Sequence, residues 1–209
     1  MLTRKVNRRQ EQQPVRCRLT KGERIAKRAI DIVCAALGLI LLSPVFLVVT
    51  LVLLAQNKGS VIYSQERIGL GGKPFHIFKF RTMHTDAEAD GPKLEQPGDS
   101  RLTPVGGFLR RHHLDELPQF WNVLRGDMSM VGPRPERQYF IERIMQHDPR
   151  YKYLFQVRPG VTSEATLYNG YTDTMDKMLE RLNMDLRYLE TATLGHDLVI
   201  IGKTVFAMK

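Results

Sequence analysis

The 209-residue sequence predicts an α+β fold, in which a small, mostly helical domain with one short β-hairpin is anchored by a re-entrant, helix-break-helix membrane segment near its N-terminus. Three observations support this prediction. A long apolar segment lies near the N-terminus, two β-branched or aromatic runs flank a glycine-rich turn, and apolar residues recur at helical spacing in the C-terminal half. The composition, with 43% hydrophobic and 25% charged residues, excludes extensive disorder.

The formal net charge of +9 is concentrated at the N-terminus. Residues 1–29, a basic N-terminal arm, hold ten basic and two acidic side chains, whereas the rest of the chain is close to neutral. A basic arm can bind the phosphates of nucleic acid or lie on an anionic membrane surface. Because an apolar segment follows the arm and the body carries little charge, we expect membrane lipids as the partner and no nucleic acid.

The apolar segment is long enough to reach across a membrane but is interrupted in its middle. A straight helix over residues 32–55 would measure about 36 Å, against about 30 Å for the hydrocarbon core. Ser43 and Pro44 lie at its centre, and proline removes a backbone hydrogen bond. Basic residues on both sides favour a cytoplasmic position for both flanks. We therefore expect a re-entrant membrane helix over residues 30–57, broken at Ser43-Pro44.

Two alternatives to this topology remain open at the level of sequence. One is a membrane-spanning helix that is merely kinked at the proline. The other is a secretory signal, although the apolar run is long for one and no typical cleavage site follows it before Lys58.

The remainder of the chain predicts a hairpin followed by helices. Residues 61–65 and 75–83 are strand-like, and residues 84–104 form a polar loop. A helix is expected to begin near Asp115, with Asp115 as its N-cap and Pro118 in its first turn. Further helices are expected at about 136–147, 173–192 and 195–208. One face of the second of these is predicted to be core: Met175, Met178, Leu179, Leu182, Leu186 and Leu189.

Asp115 and Glu116 are the candidate catalytic residues. An acidic pair at the start of a helix is by itself common, because it complements the helix dipole. Here several basic side chains accompany the pair, and together they indicate a site for a phosphate. They are Lys79, Arg81, Arg110, Arg111 and Arg134.

Other metal-dependent chemistries find little support. His112 and His113 are adjacent and no HExxH motif is present, so a zinc hydrolase is not predicted. Residues from Asp86 onward imitate the start of a calcium-binding loop, but its twelfth position is Pro97 rather than glutamate.

Five stretches of the chain carry a pattern when they are taken in order. They are KRAIDI (27–32), the apolar segment broken at Ser43-Pro44, RIGLGGKPFHIFKFRTM (67–83), FLRRHHLDELPQFWNVLRGDMSMVGPRP (108–135) and VRPGVT (157–162). Together they resemble the bacterial sugar transferases known as monotopic phosphoglycosyl transferases, over residues 24–208. The motif that contains the acidic pair is long, which makes the resemblance specific.

The resemblance implies a cytoplasmic phosphoglycosyl transferase domain over residues 58–209, on the cytoplasmic face of the bacterial inner membrane. Such an enzyme transfers a sugar-1-phosphate from a UDP-sugar donor to a polyprenol phosphate acceptor such as undecaprenyl phosphate, and UMP leaves. This is the initiating step of a bacterial surface glycan. The resemblance leaves a homodimer open.

The resemblance also implies roles for individual residues. Asp115 would be the nucleophile that forms a phosphosugar-aspartyl intermediate, and Glu116 would hold Mg²⁺. The predicted substrate-binding residues are Lys79, Arg81, Arg110, Arg134 and Arg158.

Two departures from the usual family pattern limit what the resemblance implies for this chain. Residues 163–171 lack the glutamine and arginine that often follow VRPGVT, so the sequence does not predict which sugar is transferred. The chain begins only 29 residues before the apolar segment, so it is expected to be the minimal catalytic form. The alternative function is a non-catalytic, membrane-anchored protein that binds a nucleotide sugar or serves as a scaffold.

Overall fold

The computed structural model describes residues 14–56, 59–89, 91–94, 98–170 and 172–207. It confirms the α+β class, with the helices α1 (Lys21–Leu41), α2 (Ser43–Ala55), α3 (Pro104–Arg111), α4 (Gln119–Arg125), α5 (Gln138–His147), α6 (Glu164–Tyr168), α7 (Met175–Thr191) and α8 (Leu194–Ala207). The basic residues of the arm that precede residue 14, and Lys58 and Pro97, lie outside the described residues.

The predicted hairpin is present, and its strands are displaced by a few residues from the predicted ranges. Strands β1 (Ile62–Ile68) and β2 (Pro74–Phe80) pair antiparallel, with Tyr63 opposite Lys79. A second small sheet pairs β3 (Ser129–Val131) with β4 (Gly160–Thr162) in parallel. Sequence patterns do not predict this second sheet, because each of its strands is only three residues long.

The last part of the basic arm is helical and packs on the body of the protein. Helix α1 begins at Lys21 behind a capping box formed by Thr20 and Glu23, so the predicted boundary between residues 29 and 30 lies inside the helix. The Arg28 guanidinium donates to the carbonyl oxygens of Val123 (2.7 Å) and Leu124 (3.1 Å) in the last turn of α4. The backbone nitrogen of Gly126 already donates to the carbonyl of Val123 (3.0 Å), and Arg28 adds a second donor there and one to the carbonyl of Leu124, so it supplements the cap of α4.

Two further charges of α1 are used inside the fold. Buried Asp31 accepts a hydrogen bond from the backbone nitrogen of Met130 in β3 (2.9 Å). Lys27 forms a 2.6 Å ion pair with Asp197 of α8, which also accepts a hydrogen bond from the Tyr188 hydroxyl (2.7 Å). Lys27 and Arg28, which the sequence analysis counted with the lipid-binding arm, therefore stabilise the packing of α1 against the domain.

The apolar segment is bent where the sequence predicted a break. Helix α1 ends at Leu41, Pro44 occupies the first turn of α2, where its missing N–H costs no helical hydrogen bond, and the two helix axes differ by 59°. The Ser43 hydroxyl donates to the carbonyl of Ile40 (2.8 Å). Among the described residues, no single helix is long and apolar enough to cross a membrane, and only the bent pair α1 and α2 meets both criteria together.

The second half of the broken segment packs against the elements that carry the candidate site. Val49 and Leu53 of α2 form a buried cluster with Phe80 at the end of β2, Leu109 of α3 and Leu117. The cluster therefore connects α2 directly to the strand that holds Lys79 and to the helix that holds Arg110.

The main core lies between α5, α7, α8 and the small parallel sheet. It confirms the stripe on α7, since Met178, Leu182, Leu186 and Leu189 are buried, and Met175 and Leu179 pack at its edge. The three predicted C-terminal helices are confirmed, with ends that differ by about two residues, within the usual uncertainty of helix boundaries.

Asn122 ties helix α4 to the hairpin. Its side chain is fully buried, accepts a hydrogen bond from the backbone nitrogen of Phe78 (3.0 Å) and donates to the carbonyl of His76 (2.7 Å). Both of these backbone groups belong to β2, so one amide side chain satisfies a donor and an acceptor of the strand.

Replacing Asn122 with alanine is expected to lower the free energy of unfolding by about 2–4 kcal/mol, because two buried backbone groups lose their partner. The change is measured as a lower melting temperature of the purified protein in detergent. Asn183→Ala, at an exposed position of α7, is the control and should leave the melting temperature nearly unchanged. Equal melting temperatures for both variants would show that the Asn122 tether contributes little.

Candidate active site

Helix α3 holds Arg110 against the end of the hairpin. The helix starts behind the side chain of Thr103, which accepts from the backbone nitrogen of Gly106 (2.9 Å). A Cβ at Gly106 would lie 1.9 Å from the carbonyl oxygen of Thr82, so glycine permits a close approach. The approach lets Arg110 Nε donate to the hydroxyl of Thr82 at 2.8 Å.

The acidic pair lies on a short 3-10 turn between α3 and α4. His113 adopts a left-handed conformation (φ 54°) that ends α3 and reverses the chain, and the turn Leu114–Glu116 follows. The prediction that Asp115 caps the helix was wrong, because α4 begins at Gln119 with Pro118 in the N-cap position. The left-handed His113 separates the pair from α3, and Leu117 and Pro118 separate it from α4.

Glu116 binds two of the predicted cations through a single oxygen. Its Oε1 lies 2.6 Å from Lys79 Nζ and 3.1 Å from Arg134 Nη2. Burial alone would raise the pKa of Glu116, but the charges of Lys79 and Arg134 outweigh it and hold the pKa far below the usual range. Glu116 is therefore ionised at every physiological pH.

Asp115 is buried beside the same cations, with only 4% of its surface exposed. Burial raises the pKa of Asp115, and the charge of Lys79 opposes this effect, as do the more weakly acting charges of Arg110 and Arg134. The two adjacent carboxyl groups thus differ in environment. Glu116 forms ion pairs with Lys79 and Arg134, whereas Asp115 is affected mainly by the electrostatic field of the nearby cations.

The pair lines a cavity of about 610 Å³. Among the described residues that line it, ten are lysine or arginine and four are acidic. The cavity wall is therefore strongly positive although the body of the chain is nearly neutral, and a positive, partly enclosed cavity attracts phosphorylated ligands.

The structure brings four of the five predicted substrate-binding residues to this cavity and leaves the fifth outside. Lys79, Arg81, Arg110 and Arg134 all line it. Arg158 does not belong to the described lining, and its Nε donates to the carbonyl of Gly126 at 2.8 Å. Its position therefore gives no support to the predicted role in substrate binding.

The same wall contains a buried ionic network that the sequence does not predict. Glu136 is paired with Arg67 (Nη1 to Oε1, 2.7 Å) and with Arg181, which also donates to Thr172 Oγ1 (2.8 Å). Glu136 follows the GPRP motif directly, but Arg67 and Arg181 come from β1 and α7, so sequence spacing gives no signal of the network.

Replacing Glu136 with glutamine is expected to lower the free energy of unfolding by about 3–5 kcal/mol at neutral pH, because two buried arginines lose their counter-charge. Burial acts to raise the pKa of Glu136, but Arg181 and Arg67 outweigh it and lower the pKa from 4.5 to about 2. Its stabilising contribution is thus present above pH 4.5 and is lost as the pH falls towards 2.

The measurement is the melting temperature of both proteins over the acid range. The wild type should lose stability on acidification, and the difference between the two proteins should shrink. A difference that stays constant with pH would contradict the lowered pKa of Glu136.

The loop that departs from the usual pattern also reaches the cavity. Ala165, Thr166 and Gly170 line it, as does Thr172 just beyond the loop. Tyr171 lies outside the described residues. The divergent residues are therefore in a position to contact a ligand, on a wall formed by α6 rather than by the hairpin.

Comparisons with known proteins identify a family and several relatives. A family model described as "Bacterial sugar transferase" matches residues 22–209. The chain is 42% identical over 185 residues to a protein of Caulobacter vibrioides named UDP-glucose:undecaprenyl-phosphate glucose-1-phosphate transferase, which covers 87% of this chain and 68% of that protein.

Two further relatives carry names with a different sugar. One, from Aeromonas hydrophila, is named UDP-N-acetylgalactosamine-undecaprenyl-phosphate N-acetylgalactosaminephosphotransferase and is 38% identical over 179 residues, 86% of this chain and 42% of the relative. The other, from Bacillus subtilis, is named a putative undecaprenyl-phosphate N-acetylgalactosaminyl 1-phosphate transferase and is 47% identical over 123 residues, 59% of this chain and 69% of the relative.

The match spans 42% of the length of the Aeromonas protein, 68% of the Caulobacter protein and 69% of the Bacillus protein. The family match nevertheless covers nearly all of the chain, including both candidate catalytic residues and all five predicted substrate-binding residues. The chain therefore belongs to the bacterial sugar transferase family.

Proposed function

We propose that this protein transfers a sugar-1-phosphate from a UDP-sugar to undecaprenyl phosphate, releases UMP, and so initiates a bacterial surface glycan. The observation that carries the proposal is the buried Asp115–Glu116 pair in a cavity whose wall is dominated by lysine and arginine. The names of the relatives support both the acceptor and the type of group transferred.

The proposed reaction has two steps, each a displacement at phosphorus. In the first, a carboxylate oxygen of Asp115 bonds to the sugar-bearing phosphorus, the bond to the bridging oxygen breaks, and UMP leaves with that oxygen. In the second, an oxygen of the acceptor phosphate bonds to the same phosphorus and the bond to Asp115 breaks. Lys79, Arg110 and Arg134 lie around the pair and would neutralise the diphosphate.

Mg²⁺ fits the donor set of this site. Both cations that bind Glu116 occupy Oε1, which leaves Oε2 for a metal. No cluster of three metal-ligating side chains occurs within the described part of the chain, but Mg²⁺ commonly uses one or two carboxylates together with substrate phosphates. Glu116 would hold the ion, which supplies positive charge to the diphosphate.

We further propose that α1 and α2 form a re-entrant hairpin in the cytoplasmic leaflet of the inner membrane. The 59° bend supports this topology, as do the exposed apolar side chains of α2, among them Leu47, Leu51 and Leu54. Single cysteines placed just before α1 and just after α2 should both be labelled only from the cytoplasmic side. Labelling of the two ends from opposite sides would indicate a kinked span instead.

The function is tested by UMP release from the purified protein in detergent or nanodiscs, with Mg²⁺ and undecaprenyl phosphate, across a panel of UDP-sugars. Release that depends on the acceptor and on one sugar is the expected result. If no UDP-sugar yields UMP although the protein is folded and binds UDP-sugars, the scaffold alternative is correct.

A further inference from the structure

Strand β1 presents one aromatic and one amide side chain to the cavity, beside the cations that surround the acidic pair. Tyr63 and Gln65 are two apart on β1, so they lie on the same face of the sheet. Tyr63 pairs directly with Lys79, whose ammonium binds Glu116 at 2.6 Å. The Tyr63 ring is therefore connected to the acidic pair through its paired residue, Lys79, whose side chain binds Glu116.

The Tyr63 ring is half-buried and makes few specific contacts. The guanidinium of Arg81 lies 5.7 Å from its centroid. Its hydroxyl forms no hydrogen bond with any residue that the structure describes, so the fold gives no polar reason for a tyrosine here. A planar ring in a positively charged cavity is a surface on which a planar base can stack.

A polar edge lies next to this ring. Glu88 accepts from Gln65 Nε2 at 3.4 Å through one oxygen and from Arg137 Nη1 at 2.7 Å through the other. The carboxylate is therefore flanked by two donors, in the order donor, acceptor, donor. The edge of uracil presents a carbonyl, an N–H and a carbonyl, which complements this order, whereas cytosine replaces one carbonyl and the N–H with an amino group and an acceptor nitrogen.

We propose that Tyr63 is the stacking platform for the uracil base of the donor, and that Glu88, with Gln65 and Arg137, recognises the edge of that base. The inference rests on the proposed function in its choice of a UDP-sugar as the ligand. It places the nucleoside along the hairpin and residues 84–89.

The test measures the affinity of the purified full chain for UMP and for CMP, by calorimetry in detergent. Tyr63→Ala should weaken UMP binding about tenfold, which lies within the range for loss of a base-stacking ring. Tyr63→Phe keeps the ring and should bind UMP as tightly as the wild type does. Tyr139→Ala is the matched control, since Tyr139 also stacks against an arginine (4.1 Å to Arg143) but lies outside the cavity lining.

The base-recognition part is tested by Glu88→Ala, which should reduce the preference for UMP over CMP. Melting temperatures report whether each variant is folded, and Tyr63→Leu replaces Tyr63→Ala if the latter is unstable. UMP binding by Tyr63→Ala at the wild-type affinity would overturn the inference. If Tyr63→Ala leaves the affinity for UMP unchanged and raises only the KM for the UDP-sugar, the ring contacts the sugar and the inference is equally wrong.

Failure of the proposed transferase function would give a different result from failure of the proposed base site. A wild-type protein that binds UMP in a Tyr63-dependent manner but releases none from any UDP-sugar would refute the transferase activity and keep the base site. A wild type with full turnover and Tyr63-independent UMP binding would refute the base site and keep the activity.

Discussion

Replacing Asp115 with asparagine should reduce turnover about a thousandfold or more, because the amide is a poor nucleophile and no other carboxylate of the cavity occupies its position. Glu116, its neighbour, is held by Lys79 and Arg134 through ion pairs. The measurement is UMP release under saturating UDP-sugar, Mg²⁺ and undecaprenyl phosphate.

The folded state should tolerate this change well. Asparagine has nearly the same shape as aspartate, and burial raises the pKa of Asp115, so loss of the charge removes a desolvation penalty. Asp176→Asn, at an exposed position in the first turn of α7, is the matched control and should keep full activity. A stable Asp115→Asn protein with near-normal turnover would remove Asp115 from the role of nucleophile.

Glu116→Gln should reduce kcat about a hundredfold and raise the Mg²⁺ concentration needed for half-maximal turnover, because the variant offers a neutral ligand to the metal. A titration with Mg²⁺ at saturating UDP-sugar measures both effects. The same change also removes the counter-charge of Lys79 and Arg134, which lie 2.6 and 3.1 Å from the carboxylate.

The titration separates the two roles of Glu116. If Glu116 only anchors the two cations, its loss should raise the KM for the UDP-sugar and leave the Mg²⁺ dependence unchanged. Glu136→Gln serves as the matched control, since Glu136 is also a buried carboxylate held by two cations in the same cavity wall. It should lower stability without changing the Mg²⁺ dependence, and an equal shift in both variants would argue against Glu116 as the metal ligand.

The features that sequence predicted well depend on local patterns. The bend at Ser43-Pro44 follows from the chemistry of proline, and the buried stripe on α7 follows from helical periodicity. The hairpin follows from alternation around a glycine-rich turn. Each of these features is encoded within a window of about 20 residues, which is the scale on which such patterns operate.

The features that sequence missed depend on contacts between distant residues. Arg28 was assigned to lipid binding by its charge, but it supplements the cap of α4 because α1 folds back onto residues almost a hundred positions away. The pairing of Glu136 with Arg67 and Arg181 joins three separate elements. The role of Arg158 in substrate binding stays a prediction, and its side chain donates to the carbonyl of Gly126.

The candidate site was predicted from the sequence only in part. The identity of Asp115 and Glu116 and of four surrounding cations was predicted from residue types and motif order, and the structure places all six along one cavity. The geometry was not predicted, because it depends on the left-handed His113 and on the close approach of Gly106 to Thr82. His113 reverses the chain just before the acidic pair, and the approach of Gly106 to Thr82 lets Arg110 bind the Thr82 hydroxyl.

The most direct test of the proposed mechanism is incubation of the protein with a UDP-sugar that it uses, with Mg²⁺ and without any acceptor lipid. Covalent catalysis by Asp115 predicts stoichiometric release of UMP and an added mass of one phosphosugar on the tryptic peptide that spans residues 112–125. Addition of undecaprenyl phosphate should then remove this mass. A protein that turns over with acceptor but releases no UMP and gains no mass without it would contradict the mechanism.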